Sequence, residues 1–166
     1  ARQPERVSAI VMIGSYAKGR AKRGNAHDTK LAEAFRAMMR AGWDDDYPSL
    51  RDLIAQTIVP GASEEDRRRF AEDMHEMISP ENLGRYREVL DNMDVMELLG
   101  EVRAPCLVAH CRNDRMQPLK EGQRLAAALP NARFIAYDSS NHLVPENDPV
   151  WPLLERDVHH FLKEFT

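Results

Sequence analysis

Cys106-Leu107-Val108-Ala109-His110-Cys111-Arg112-Asn113-Asp114 is an apolar run that ends in an acid. Ala132-Arg133-Phe134-Ile135-Ala136-Tyr137-Asp138-Ser139-Ser140-Asn141-His142 is a second run, ending in an imidazole. Each has the length and composition of a strand that presents its last residues on a loop. Between them a helical pattern starts near Pro118 or Leu119, carries Leu125, Ala128 and Leu129 inward, and stops at Pro130-Asn131. Strand, helix, strand predicts α/β architecture with a parallel sheet, a frame that can hold an acid and a base rigidly.

Alone, Asp114 reads equally as a loop residue that caps the next helix or closes a turn, and Asn141-His142 as a polar turn. In this order and context the two read as a catalytic pair. Asp114 would accept the Nδ1–H of His142, fix its tautomer and stabilise the imidazolium. That pair is two thirds of a nucleophilic hydrolase machine, and no G-x-S-x-G pentapeptide supplies the third member. Gly14-Ser15 runs into Tyr16 and a basic loop, and Ser63-Glu64-Glu65-Asp66 reads as a helix cap.

Upstream, Val7 to Ser15 is a nearly continuous apolar run, expected to form a strand buried on both faces. Residues 18–25 form a basic loop with Lys18, Arg20, Lys22 and Arg23, expected to be solvated. From Asp28 the pattern turns helical. Asp28 is the expected cap of a helix with Leu31, Ala34, Phe35, Met38 and Met39 inward, ending at Gly42. Pro48 to Val59, a helix capped by Ser63, and a helix opening at Ser79-Pro80 with Leu83, Tyr86, Val89, Leu90 and Met93 inward follow. Asp94 and Glu97 frame a short helix ending at Gly100. The expected division is a core of 1–24 and 100–166 and an all-helical insertion of 25–99. The final helix carries Trp151, Leu154, Val158, Phe161, Leu162 and Phe165 at spacings of three and four. Three parallel strands leave a bare edge, which implies either self-association or a place at the C-terminal end of a larger domain.

The bulk composition narrows the classes. At 166 residues, 43% apolar and 30% charged, the chain has the size and make-up of one globular domain. A net charge of −4 offers no general attraction to nucleic acid or anionic membrane. No apolar run approaches the roughly 20 residues that span a bilayer. Residues 1–8 are polar and contain Pro4, unlike a signal peptide. Cys106 and Cys111 stand at an odd offset on one strand and face opposite ways, so buried thiols in the cytoplasm are expected rather than a disulfide. Asp44-Asp45-Asp46 lacks the spacing of a calcium loop, and no metal or cofactor is expected.

From Leu99 to Leu162 the chain resembles the C-terminal third of an α/β-hydrolase-fold protein. The resemblance rests on the strand ending at His110, on His110-x-x-x-Asp114-x-x-x-Pro118, on Leu125 to Ala132 and on the loop bearing His142. Pro4-Glu5-Arg6-Val7 before an apolar strand is similar to the segment after that family's nucleophile helix. The helical insertion stands where the family has its lid. In Gly14 to Arg20, Pro60-Gly61-Ala62 and Ser140-Asn141-His142-Leu143 with Pro149-x-Trp151, the chain is most similar to hydrolase-like domains fused to adenylate cyclases or LuxR-type regulators. Many family members have Gly where Asn141 precedes the His. The resemblance implies hydrolysis of an ester, amide or related bond by a Ser-His-Asp triad whose Ser lies before Ala1, so that the 166 residues alone would be inactive. The alternative it implies is a non-catalytic ligand-sensing domain attached to a regulator or cyclase. Expected partners are a small molecule, bound with Met38, Met74, Trp43 and Tyr86 of the lid, and a second copy of the chain through the edge strand or lid.

Overall fold

The structure, a computed structural model, describes residues 1–41 and 48–165. Gly42, Trp43 and the Asp44-Asp45-Asp46 cluster lie outside the described residues. The elements in chain order are β1 (Ile10–Ile13), α1 (Ala26–Ala41), α2 (Pro48–Ile58), α3 (Glu64–Met77), α4 (Pro80–Asn92), α5 (Met96–Leu99), β2 (Cys106–Cys111), α6 (Leu119–Ala128), β3 (Ala132–Tyr137) and α7 (Trp151–Lys163). They divide into two compact units, Ala1–Ala17 with Val95–Thr166, and Lys18–Asp94.

The first unit is a parallel sheet of order β1-β2-β3, with Ile10 opposite Cys106 and Cys106 opposite Ala132. All six residues of β2 are buried, as a central strand requires. Their side chains alternate between two cores. Cys106 and Val108 pack with Ala17, Leu99, Leu125 and Leu129, whereas Ala109 and Cys111 pack with Tyr137, Val150 and Leu154. Helices α5 and α6 therefore cover one face and α7 the other. The two cysteines fall on opposite faces as free, buried thiols. Removing side chains such as Leu107 or Val108 from water contributes about 1.5–3 kcal/mol each.

β1 is shorter than the expected Val7–Ser15 strand. Pro4–Arg6 form a 3₁₀ turn, and pairing starts only where the Ile10 N–H reaches the Pro105 carbonyl at 2.9 Å. Pairing ends at Gly14, whose φ of 59° turns the chain out of the sheet. The strand is also not buried on both faces: it is an edge, and Ile13 is 43% exposed.

In the helical unit the true cap of α1 is Asn25, one turn before the expected Asp28. Asn25 Oδ1 accepts the Asp28 N–H at 2.7 Å, and Asn25 Nδ2 donates back to Asp28 Oδ2 at 2.8 Å. Ser63 and Ser79 cap α3 and α4 as expected, accepting from the Asp66 and Asn82 N–H groups. Asp94 does not cap α5; it pairs with Lys18 at 3.1 Å. The basic loop is solvated only in part: Lys22 is exposed, but two of its arginines turn inward. Arg20 is 2% exposed and stacks 4.9 Å from the centre of the Phe35 ring, and Arg23 Nε donates to the Lys18 carbonyl at 3.1 Å.

Helix α4 turns a different face inward from the one its apolar residues suggest. Tyr86 and Val89 are 56% and 68% exposed. The buried stripe is Leu83, Arg87 and Asp91, at i, i+4, i+8. Arg87 Nη2 donates to Asp91 Oδ1 at 2.7 Å, and Arg36 of α1 stands 3.8 Å from Asp91 Oδ2, so the buried carboxylate is neutralised within the unit. Among the described residues no helix is long and apolar enough to cross a membrane.

Candidate active site

β2 and β3 are neighbours and parallel, so the loops that follow them leave the same end of the sheet. Backbone bonds then bind the loops together: the Arg112 N–H donates to the Tyr137 carbonyl at 2.9 Å and the Asn113 N–H to the Ser139 carbonyl at 3.1 Å. The next residue of the first loop is Asp114. Its Oδ1 accepts the Met116 and Gln117 N–H groups at 2.7 and 2.9 Å, closing the turn into α6. This local duty fixes the carboxylate plane and leaves Oδ2 for another partner.

That partner is His142. Its Nδ1 lies 2.8 Å from Asp114 Oδ2, although the residues are 28 apart in sequence. A carboxylate only accepts, so Nδ1 carries the proton and Nε2 is the nitrogen left for proton exchange. The Asp114 side chain is fully buried while that of His142 is 20% exposed. The carboxylate is sealed from water and the imidazole is not. Asp114 thus closes a turn with one oxygen and hydrogen-bonds an imidazole with the other.

Three contributors carry no assigned role in the sequence reading. Gly14, at the end of β1, lies against the His142 ring: a Cβ there would stand 2.8 Å from Cε1 and 2.9 Å from Nδ1. With φ at 59° and the ring so close, the position demands glycine. His110, 1% exposed, donates Nε2–H to the Gln117 carbonyl at 2.9 Å and stands 3.6 Å from Asp114 Oδ2, beyond hydrogen-bond reach. Asp148, also buried, accepts from Ser139 Oγ and Asn141 Nδ2 at 2.7 and 2.6 Å. The spacing of His110 before Asp114 was visible, but its packing was not; Asp148-Pro149 ahead of an amphipathic helix was a cap signal.

Cys111 lies beside this cluster. Burial pushes its thiol up to about 11; the Ser139 hydrogen bond opposes the rise, and the Asp114 and Asp148 charges add to it. A thiol held protonated at neutral pH is a poor nucleophile. Of the other candidates, Met38 and Met74 are half-buried in α1 and α3, and Tyr86 projects from α4. Met39 is buried and Met77 is 82% exposed, so the methionines form no single apolar face.

No family model matches the chain. It is 34% identical over 155 residues to a RutD protein of Pseudomonas savastanoi named for carbamate hydrolysis, a match covering 89% of this chain and 56% of that protein. It is 27% identical over 152 residues to a pimeloyl-[acyl-carrier protein] methyl ester esterase of Aromatoleum aromaticum, covering 85% and 59%. Among solved structures, a hydrolase from Oleispira antarctica superposes with a TM-score of 0.72 at 17% identity, covering 93% of this chain and 57% of that one. The chain spans somewhat more than half the length of these two curated relatives.

Proposed function

From a chain that has the α/β-hydrolase fold, three parallel strands with their helices, we propose that His142 and Asp114 are the base and orienting acid of a serine hydrolase. The nucleophilic Ser comes from sequence outside these 166 residues, since no G-x-S-x-G lies within them. His142 Nε2 takes the Ser proton as the oxygen attacks a carbonyl carbon, then returns it to the leaving group. Asp114 keeps Nδ1 protonated and balances the imidazolium charge. The observation that carries the proposal is the 2.8 Å bond from His142 Nδ1 to a carboxylate already fixed by two backbone N–H groups.

The proposed substrate class is a carboxylic ester, amide or carbamate, in keeping with the carbamate and methyl ester named for the two curated relatives. In this reading the helical unit acts as a lid, with Met38, Met74 and Tyr86 as candidate apolar contacts. The test uses the full-length protein containing this chain. It should be labelled by a serine-directed fluorophosphonate and should hydrolyse nitrophenyl esters or carbamates, and Asp114→Asn or His142→Ala should lower kcat by roughly 10³–10⁴-fold. Absence of both labelling and turnover in the wild type would refute the proposal and favour a ligand-binding role.

A further inference from the structure

We propose that Asn141 and Asp148 form a buried clamp that sets the position of the His142 ring, making both of them positioning residues for the reaction proposed above, on which this inference rests. His142 sits in the connection between β3 and α7, which has no regular secondary structure to hold it. Side-chain bonds take over that task. Asn141, directly before His142, is 2% exposed. Its backbone N–H donates to Ser139 Oγ at 3.1 Å, and the Ser139 hydroxyl donates to Asp148 Oδ2 at 2.7 Å. Asn141 Nδ2 donates to the same oxygen at 2.6 Å. Asp148 Oδ1 accepts the Val150 N–H at 2.9 Å, and its carbonyl accepts the Trp151 N–H at 2.9 Å.

The residue preceding the base is therefore tied, through both its backbone and its side chain, to the first turn of α7. That helix is anchored by buried Leu154 and Phe161. Bonds to an ionised carboxylate are roughly twice as strong as neutral ones. The residue before the His is here an amide that reaches a carboxylate. With Gly14 against one edge of the ring and Asp114 on Nδ1, the clamp completes the positioning. Precision of this kind matters, because a 1 Å misplacement of a reacting group costs about 10²-fold in rate. Among the described residues the Cys111 thiol at the end of β2 feels the charges of both Asp148 and Asp114, and the Val150 N–H at the start of α7 faces Asp148 Oδ1.

The deciding variant is Asn141→Asp in the full-length protein, which puts a carboxylate oxygen where the amide donor stood. Two carboxylates in hydrogen-bond contact hold one proton between them, bonded at low pH and repelling once it leaves. The ratio of variant to wild-type kcat should be reduced roughly tenfold or more at pH 8 and climb towards unity as pH falls, with KM within about twofold. Ser139→Ala, which removes one tether and keeps the other, should lose about fivefold and show no such pH dependence. A ratio for Asn141→Asp that stays flat with pH, or a kcat within twofold of wild type at pH 8, would overturn the clamp. A second readout does not need turnover. The His142 Nδ1–H proton resonance, identified by its loss in Asp114→Asn, should weaken with rising pH in Asn141→Asp and not in wild type. A wild-type protein without hydrolase activity would end the proposed function, while this resonance would still show whether the clamp holds the ring. An identical pH response in both proteins would dismiss it.

Discussion

Helix α6 lies directly on the His110 ring: a Cβ at Gly122 would stand 2.5 Å from His110 Nδ1 and 3.2 Å from His110 Cβ. The crowded atoms belong to a buried strand residue rather than to the free end of a flexible chain. Gly122→Ala gains about 1 kcal/mol of helix propensity, but overpacking costs about 1–3 kcal/mol. Urea denaturation should show net destabilisation. In the double variant with His110→Ala the two effects should fall short of additivity, because the second change removes the clash; simple additivity would count against this packing.

Gly14→Ala should separate activity from stability. A non-glycine residue in the left-handed region costs about 1–2 kcal/mol, and the new methyl would press on His142. In the full-length protein the loss of kcat should approach 10²-fold, beyond what the loss of folded protein explains. Thermal melting and kinetics on the same preparation measure both quantities.

The helical unit depends on a buried ion pair. Asp91→Ala removes the carboxylate that the Arg87 guanidinium, its side chain 6% exposed, meets at 2.7 Å, and should cost about 3–5 kcal/mol. Arg36→Ala removes only the longer 3.8 Å contact of a half-buried side chain and should cost less than about 1 kcal/mol. Equal losses from the two substitutions, read by denaturant titration, would contradict the ranking.

Cys111 predicts the alkaline limit. Its folded pKa is raised from the ordinary 9.0 to about 11, so the folded state holds this proton more tightly than the unfolded state. The resulting stability is complete below pH 9.0 and is lost as pH rises through about 11. Cys111→Ser or Cys111→Ala should flatten that decline. At pH 8 a disulfide reagent should react slowly with the native protein and label both cysteines in urea.

Much of the sheet was legible because β2 and the final helix carry apolar residues at simple periods, and because an acid and a histidine after consecutive strands leave one end together. Helix α4 was not. Its inward stripe includes Arg87 and Asp91, and a hydropathy pattern assigns charged residues to the outside, so Tyr86 and Val89 took their place in the reading. Arg20 and Arg23 misled in the same way: an aromatic ring and a carbonyl compensate their burial, and neither partner is adjacent in sequence. The shift of the α1 cap from Asp28 to Asn25 reflects a motif in which both residues take part. Asp148 escaped because its partners, Ser139 and Asn141, meet it only once an irregular segment has folded.

The register that sets Cys111 beside Tyr137 also makes the reach from Asp114 to His142 independent of contour length. The two side chains leave adjoining strands separated by about 4.8 Å, and the crossover between them returns through the turn at Pro130-Asn131, at the far end of the sheet. Extra residues spliced in ahead of Pro130 would lengthen the path without moving either end of the Asp114–His142 bond. That turn is therefore the place to attach a tag or a reporter peptide while leaving the pair as it stands.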